Sequence, residues 1–579
     1  MSFLSKLNPF RRIKSRRSYS ELTARGQANS DWAFSGIGED ADVWANQYLL
    51  RARMRDLWKK NPYFGKYREE LFANVFGSEG ILLRMKCTET EARVVYAADE
   101  RASLLAHEHR MNRVLDNVRE RTGRDIPTYH LFDKAKATVQ VGQPDYYAIK
   151  VIEDAWRQWK RKENCDVRGQ RDYVSLCNLR LVNTARDGGL FVRLVRDVKA
   201  KVNEFGFAIQ LVPDEYCDYA LNESLENGNE IRMGIEYAWN DWGLGKPVAY
   251  YFLKRQRNDW QYSSGLFGGY AQTAGRLHDR VPASEILHYA RYADADSTRP
   301  APWGVSNISN SRHLAKYEEA EVIAARVSAC KMGWFYSDIN PDGGSTSAQD
   351  YPDPTQKSME ATPGGFEGLP WGVKFQGFDP NHPNGNFDTF RKGMLRSWCA
   401  GLPGANYNII ANDLEGVNYS SGKFGIYDER EMWMLLQKFD ITTGETPIFE
   451  AWLEMALITG AVPLPLAKYR KFNAPHFRGR RWKGVEPVKE AQASAMRIES
   501  KLSTRTREIE DSDSEEDFEE IIFKLAEENA LMESLGISIA TTETPPVQPD
   551  KADDGDGSTD GDAPSAPVKK NGSRLNLAL

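Results

Sequence analysis

His107, Glu108 and His109 form the one local cluster of histidine and carboxylate side chains in the sequence. On a helix, residues two positions apart point about 200° away from each other, so the two histidines cannot easily share a metal ion. The sequence contains no H-E-x-x-H, G-x-S-x-G or Walker-type phosphate-loop motif. We therefore predict a solvated helix face at this cluster, and a chain with no catalytic residues, no metal and no cofactor.

Ser420-Ser-Gly-Lys423 is similar to the end of a phosphate-binding loop, but Phe424 stands where such a loop places Ser or Thr to bind magnesium. The signal for a nucleotide site is therefore weak. Acidic residues are abundant, and the 15 Trp and 25 Tyr would suit a sugar-binding surface, so an acidic, aromatic-rich monomeric hydrolase stays open as an alternative. Many of the tryptophans lie in helical apolar patterns, which favours packing in a core or between subunits.

The one strong internal basic cluster surrounds Trp482 and contains Arg478, Arg480, Arg481 and Lys483. Cations interleaved with an aromatic residue suit contact with phosphate groups or with the acidic surface of a partner. A plain solvated loop stays open as the alternative.

Basic residues also dominate the start of the chain, where residues 1–20 carry six cations and no acid. We predict that residues 1–40 form a flexible basic arm. Two other interpretations stay open: an arm that docks on DNA or on an acidic partner, and a membrane-surface helix, which Pro9 would interrupt.

Composition excludes several classes of protein. The chain has 579 residues, of which 41% are hydrophobic, so a packed core is possible. Its net charge of −6 argues against a protein that coats DNA by bulk charge. Its apolar runs are far shorter than the roughly 20 residues that cross a bilayer, and no secretory signal opens it. The 6 cysteines are scattered without a C-x-x-C motif, which suits a reducing cytoplasm.

The periodicity of apolar residues predicts a mixed α+β chain. Helices are predicted over residues 42–77 with a break at Asn61-Pro62, and over 152–162, 172–184, 313–334, 386–402, 427–439, 447–458 and 487–502, with a last helix from Phe518 that ends at Gly536. Strands are predicted at residues 189–194, 207–212, 231–238 and 247–253, with a hairpin turn at 241–246. Residues 265–276 and 340–365 are predicted to be loops.

Several sequence blocks, in this order, resemble the lambda-type portal proteins of tailed bacteriophages. They are Asp56-Leu-Trp-Lys-Lys-Asn-Pro-Tyr63, Ala73-Asn-Val-Phe-Gly77, Gly234-Ile-Glu236, Lys246-Pro-Val-Ala-Tyr250, Val281-Pro-Ala-Ser-Glu-Ile-Leu-His288, Tyr317-Glu-Glu-Ala320, Asn418-Tyr-Ser-Ser421, Trp482-Lys-Gly-Val-Glu-Pro-Val-Lys-Glu490 and Asp517-Phe-Glu-Glu520 with Leu535-Gly536. Each block is weak alone, but together they cover roughly residues 41 to 537.

The resemblance implies a ring and not an enzyme. Such portals assemble as dodecamers with wing, stem, clip and crown regions at one capsid vertex. The implied partners are other copies of the chain, double-stranded DNA, the terminase large subunit, a head–tail adaptor and the major capsid protein or scaffold, with no membrane anchor. The implied location is the virion, and the host cytoplasm during assembly. A capsid or tail structural protein that forms no channel stays open as a further alternative.

The resemblance also gives an expected division of the chain. Its regions are the basic arm (1–40), the wing (41–245), the clip (246–305), the stem helix (306–340), a loop with a channel-facing helix (341–402), a return to the wing and core (403–485), crown-like helices (486–537) and a disordered acidic tail (538–579).

Acidic residues in two of these regions are the expected lining of the channel. They are Glu318, Glu319 and Glu321 on the stem helix, and Asp342, Asp350 and Asp353 in the loop that follows it. Fixed negative charge facing DNA gives repulsion rather than adhesion, and salt keeps that repulsion short-ranged.

Overall fold

The computed structural model describes residues 39–536 with interruptions, of which the longest are 255–277, 338–372 and 378–384. The shorter interruptions are 91–92, 95–97, 131, 134–137, 140–141, 198, 200, 296, 330–332 and 515. The chain divides into two units, Met1–Ile521 and Ile522–Leu579. The predicted arm at 1–40, except for its last two residues, the loops at 265–276 and 340–365, and the tail at 538–579 lie outside the described residues.

Fifteen α-helices are assigned in the described residues. In chain order they are α1 Glu39–Lys60, α2 Pro62–Val75, α3 Ala98–Thr122, α4 Tyr146–Trp159, α5 Lys162–Cys165, α6 Tyr173–Asp187, α7 Asn307–Ala329, α8 Phe387–Ala400, α9 Tyr407–Ile410, α10 Tyr419–Asp440, α11 Thr446–Thr459, α12 Tyr469–Phe472, α13 Pro487–Glu499, α14 Arg505–Asp511 and α15 Phe518–Ser534. A π-helical segment, Ile441–Glu445, joins α10 to α11.

The strands of the described residues pair antiparallel in small sheets. They are β1 Leu82–Met85, β2 Arg93–Val94, β3 Phe132–Asp133, β4 Thr138–Val139, β5 Gly189–Arg196, β6 Phe207–Pro213, β7 Glu223–Ser224, β8 Glu230–Arg232, β9 Ile235–Asn240, β10 Gly243–Leu253, β11 His278–Pro282, β12 Ile286–Ala290, β13 Gly333–Ser337, β14 Val373–Gly377 and β15 Pro475–Arg478. The sheet orders are β1-β15, β11-β10-β9-β8-β7, β12-β5-β6, β13-β14 and β2-β4-β3.

The main core lies where α4, α6 and α11 pack around the β12-β5-β6 sheet. Trp156 and Trp159 stack with ring centroids 4.7 Å apart, and Trp452 meets Trp156 edge-on at 4.9 Å. Large aromatic side chains in such offset and edge-to-face contacts contribute beyond the area that they bury. The prediction that these tryptophans are core residues of helices is confirmed.

The break between α1 and α2 follows directly from local chemistry. Asn61 Oδ1 accepts hydrogen bonds from the backbone N–H of Tyr63 at 2.9 Å and of Phe64 at 3.4 Å. Pro62 occupies the first helical position, where its missing N–H costs nothing. The predicted helix–break–helix is therefore confirmed.

Several predicted elements differ from the structure. The turn predicted at 241–246 is shorter, since β10 begins at Gly243, and the helix predicted over 427–439 begins at Tyr419. Residues 231–238 are not one strand, because Met233 and Gly234 have positive φ of 46° and 81° and turn the chain between β8 and β9. The helix predicted over 313–334 begins earlier, at Asn307, and ends at Ala329. Residues 333–337 form β13 instead, because they pair with β14, which lies far away in the sequence.

The described strands of the segment expected to form the clip, 246–305, belong to sheets of the first unit. Its strand β10 lies between β11 and β9 in the five-stranded sheet, and β12 pairs with β5. Tyr250, Val281 and Ile286 belong to a buried cluster with Phe191. The part of this segment at 255–277 lies outside the described residues.

Candidate functional site: a helical arm and a basic loop

Helices α7 and α8 form an antiparallel arm. Near its base, Asn307 Nδ2 donates to the carbonyl oxygen of Trp398 at 2.8 Å, and Trp398 Nε1 donates to Ser311 Oγ at 2.9 Å. Farther out, the ring of Tyr317 meets that of Phe390 with centroids 4.9 Å apart. Residues early in α7 thus contact residues late in α8, and residues later in α7 contact residues earlier in α8. In the chain, the β13-β14 pair follows α7 and precedes α8.

The arm exposes apolar side chains. Val322 and Ile323 on α7 are 50% and 51% exposed, and Phe390 on α8 is 49% exposed. A Cβ placed on Gly393 of α8 would meet no atom within 4 Å, so this side of α8 is open. Leu314 is buried, so the apolar side chains of α7 are only partly covered within one subunit.

Glu318 is tied to the body of the subunit. Its Oε1 accepts hydrogen bonds from Tyr63 OH at 3.2 Å and from Arg391 Nε at 3.1 Å. The hydrogen bonds with Tyr63 and then Glu318 raise the pKa of Arg391. Of the other candidate channel acids on this helix, Glu319 is exposed and Glu321 is half-buried beside Tyr317. Asp342, Asp350 and Asp353 lie outside the described residues.

The four basic residues around Trp482 do not share one environment. Arg478 is only 8% exposed, at the end of β15, and its Nη1 lies 3.8 Å from Asp517. Arg480 and Lys483 are exposed, and Arg481 is half-buried. Arg478 is thus part of the interior, because β15 pairs with β1 and carries it inward.

The chain around these cations is held firmly. Gln437 Nε2 donates to the carbonyl oxygens of Arg480 at 2.9 Å and Asn74 at 3.2 Å. Trp482 Nε1 donates to Asn74 Oδ1 at 3.1 Å. Arg430 Nη2 donates to the carbonyl oxygen of Lys483 at 2.9 Å. The loop that carries Arg480, Arg481 and Lys483, called the basic loop, is thus fixed by α2 and α10, while Arg480 and Lys483 stay exposed to solvent.

The His107–His109 cluster and the Ser420–Lys423 motif both have structural roles. Glu108 is 1% exposed, so the prediction of a wholly solvated face at 107–109 is wrong for this residue. Glu108 lies on α3, and its Oε1 is 3.3 Å from Nδ1 of His130. Lys423 lies near the start of α10 and donates to Glu486 Oε1 at 3.1 Å, rather than facing a phosphate site. Among the described residues, no three His, Cys, Asp or Glu side chains are placed to hold a metal ion.

Sequence reasoning missed a buried charge cluster at the π-helical segment. Arg180 Nη2 lies 2.7 Å from Asp440 Oδ1 and 2.8 Å from Glu445 Oε1, and all three side chains are buried. Tyr289 OH donates to Asp440 Oδ1 at 2.6 Å. Burial raises the pKa of Asp440 to about 6. The partners are about 260 residues apart in sequence, so no local pattern could have revealed them.

None of the described helices is both long and apolar enough to cross a membrane.

Comparison with known proteins shows which family this chain is related to. Residues 25–437 match the lambda family of phage portal proteins. A probable portal protein of Halomonas phage phiHAP-1 is 27% identical over 83% of this chain and 80% of its own length. Portal protein B of Escherichia phage lambda is 26% identical over 69% of this chain and 76% of its own.

A solved structure, the neck of a native gene transfer agent particle, is similar with a TM-score of 0.34 and 11% identity, over 63% of this chain and 88% of that one. This likeness is too low to support an argument, so the assignment rests on the sequence match across most of the chain. The chain belongs to the lambda family of phage portal proteins.

Proposed function

We propose that this portal protein assembles as a closed ring of twelve copies at one capsid vertex. Through that ring the terminase large subunit packages double-stranded DNA, and through it the DNA leaves. The observation that carries this proposal is the arm formed by α7 and α8, which exposes apolar side chains on both of its helices. The chain itself performs no covalent chemistry, in keeping with the structural role of its family.

The arm supplies the contact that a ring requires. Val322 and Ile323 on α7 belong to one exposed surface, and Phe390 with Gly393 on α8 belongs to another. Two different surfaces that meet head to tail generate a ring when the rotation closes. We infer that α7 of one copy packs against α8 of the next, where Gly393 allows the helices to approach closely.

The acidic side chains are assigned to the DNA path. Because Glu318 is already bonded to Arg391 and Glu321 to Tyr317, the exposed Glu319 is the better candidate on α7 for facing the channel, and the other two remain proposed with it. The net charge of −6 agrees with a conduit that does not hold phosphates tightly. Asp342, Asp350 and Asp353, which stand between β13 and β14 in the chain, remain proposed channel residues.

The arm also suggests a different place for the partner-binding clip. The strands β13 and β14 pair at the end of the arm, whereas the strands of 246–305 belong to the sheets of the first unit. We therefore propose that residues 330–386, rather than 246–305, meet the terminase and the head–tail adaptor. The major capsid protein or scaffold would contact other parts of the ring. The protein then acts in the virion, after assembly in the host cytoplasm.

A charge-reversal experiment tests the proposed DNA path. Replacing Asp342, Asp350 and Asp353 together with Lys puts three cations beside a polyanion, so DNA should adhere and translocation should slow, most strongly at low salt. The rate of terminase-driven packaging into capsids that carry the variant ring measures this. The triple Asn variant is the matched control, since it removes charge without adding attraction. Wild-type packaging rates at low salt for the Lys variant would place these residues outside the channel.

A further inference from the structure

The fixed basic loop forms one wall of a cavity of about 500 Å³. The opposite wall is the turn after α2, and residues 512–514 close a third side. Gly77 in that turn has a φ of +64°, and a Cβ there would lie 2.9 Å from Cδ of Arg480. The turn thus leaves room for Arg480, which donates a hydrogen bond to the carbonyl oxygen of Ala73. Arg480 is thus held in position by the subunit itself.

Arg478 contributes a largely buried charged side chain to the lining of this cavity. It is 8% exposed, and its Nη1 is buried without a hydrogen-bond partner among the described residues. Its nearest acid, Asp517, is 3.8 Å away, beyond hydrogen-bond distance. Burial, and then the charges of Arg84 and Arg481, lower the pKa of Arg478. Asp517 therefore compensates the charge of Arg478 only partly, and an anion in the cavity would add to that compensation.

The remaining residues that line the cavity restrict the chemical class of the ligand. Arg478, Arg480 and Arg481 line the cavity together with the carboxylates Glu79 and Asp513. Guanidinium groups donate to phosphate oxygens with matched geometry. The two carboxylates cannot donate to such oxygens, but they can accept hydrogen bonds from a hydroxyl group on the same ligand. The volume lies within the usual range of small-molecule sites, about 300–1,000 Å³.

We propose that this cavity binds a small phosphate compound that also bears a hydroxyl group. Monobasic phosphate and a sugar phosphate share this chemistry. Arg478 and Arg481 would donate to the phosphate oxygens, while Glu79 and Asp513 would accept from the hydroxyl. The site is separate from the proposed channel residues, none of which is among the residues that line it.

Isothermal titration calorimetry tests this proposal. The full-length protein is titrated with inorganic phosphate and, separately, with ribose 5-phosphate, at a constant ionic strength set with chloride. We expect one site per subunit, and at least a tenfold loss of affinity in Arg481→Ala that Arg481→Lys partly restores. Lys483→Ala is the matched control, because Lys483 carries the same charge in the same loop but does not line the cavity. Tighter binding of ribose 5-phosphate would assign the ligand as a sugar phosphate, and equal or weaker binding would assign inorganic phosphate.

Three results would overturn the proposal. One is the absence of a titration signal for both compounds. Another is an equal loss in Lys483→Ala and Arg481→Ala, which would show general charge attraction. The third is competition by duplex DNA at equal phosphate concentration with a higher affinity than either small compound, which would make the loop a nucleic-acid contact. Arg478→Gln is a second variant. If it fails to fold, the comparison of Arg481→Ala with Arg481→Lys still tests the proposal.

Discussion

At the scale of single residues, the structure depends on charges that the interior encloses. Arg180 faces two carboxylates, Asp440 and Glu445, and Gly444 in the π-helical segment leaves the space that the guanidinium fills. A Cβ on Gly444 would lie 2.6 Å from Cζ of Arg180. The π-helical segment thus gives its carboxylates a fixed buried partner.

Removing that partner should be severely destabilising. Arg180→Met leaves Asp440 and Glu445 buried and uncompensated, so we expect a loss of about 3–5 kcal/mol in the free energy of unfolding. Urea unfolding followed by far-UV circular dichroism measures this. Arg326→Met removes the same kind of side chain from an exposed position on α7 and should change stability by less than about 0.5 kcal/mol. Equal effects of the two substitutions would contradict the account.

Asp440 should also leave a signature in the pH dependence of stability. Its pKa is raised from 3.8 to about 6 in the folded state, so the folded protein binds more protons than the unfolded chain between these values. The contribution of this group is therefore fully present below about pH 4 and is lost as the pH rises to about 6. Asp440→Asn lacks this term, so the stability of wild type relative to the variant should fall from pH 4 to pH 6. Urea unfolding of both proteins at several pH values measures it, and a constant difference would refute the assigned shift.

Sequence could not foresee these residues, although it identified others. The break at Asn61-Pro62 was predictable because capping and proline chemistry are local. Arg478 was predicted to belong to an exposed basic cluster, yet pairing of β15 with β1 buries it. Burial of a charged residue depends on partners elsewhere in the chain, and Asp517 is one that no local motif indicates.

At the scale of elements, most helices followed from apolar periodicity and breakers, but two limits are clear. For the 25-residue helix α3 only a helix face at residues 107–109 was predicted, without bounds, because its few apolar residues form no broad stripe. The absence of Gly and Pro between Ala98 and Gly123 is the sequence feature that could have indicated this helix. The predicted end of α7 was wrong because residues 333–337 form β13, which pairs with a strand that no local pattern connects to it.

The central helix of the arm can be tested by a single proline. Val327→Pro lies within α7 and should cost on the order of 3 kcal/mol in the helix, because proline removes a hydrogen bond and clashes with the preceding turn. We expect the variant to fail to form rings, as judged by electron microscopy. Val327→Ala keeps the helix and is the control for the lost side chain. Normal rings from the proline variant would show that α7 is not a contact between subunits.

Two deletions separate the alternative places for the partner-binding region. Removing residues 340–365 should leave rings intact and abolish terminase-driven packaging, because this segment stands between β13 and β14. Removing residues 265–275, between β10 and β11, should leave both rings and packaging intact. The opposite pattern would return the clip to 246–305, as the resemblance first suggested.

At the scale of the whole molecule, one subunit exposes surfaces that a monomer would leave in water. The arm exposes Val322, Ile323 and Phe390 to solvent, and the sequence did not indicate that one subunit leaves them open. The family and the mixed α+β class were predictable, because ordered sequence blocks and periodic patterns carry them. Contacts between copies depend on exposed surfaces, which only a folded subunit reveals.

The central claim is that copies of this chain close into a ring around a channel. Electron microscopy of the purified full-length protein, with its mass determined by native mass spectrometry, tests it most directly. The account predicts rings with a central opening and a mass of about twelve subunits, as expected for a closed cyclic assembly. A uniform population of monomers, or an assembly without a central opening, would contradict it.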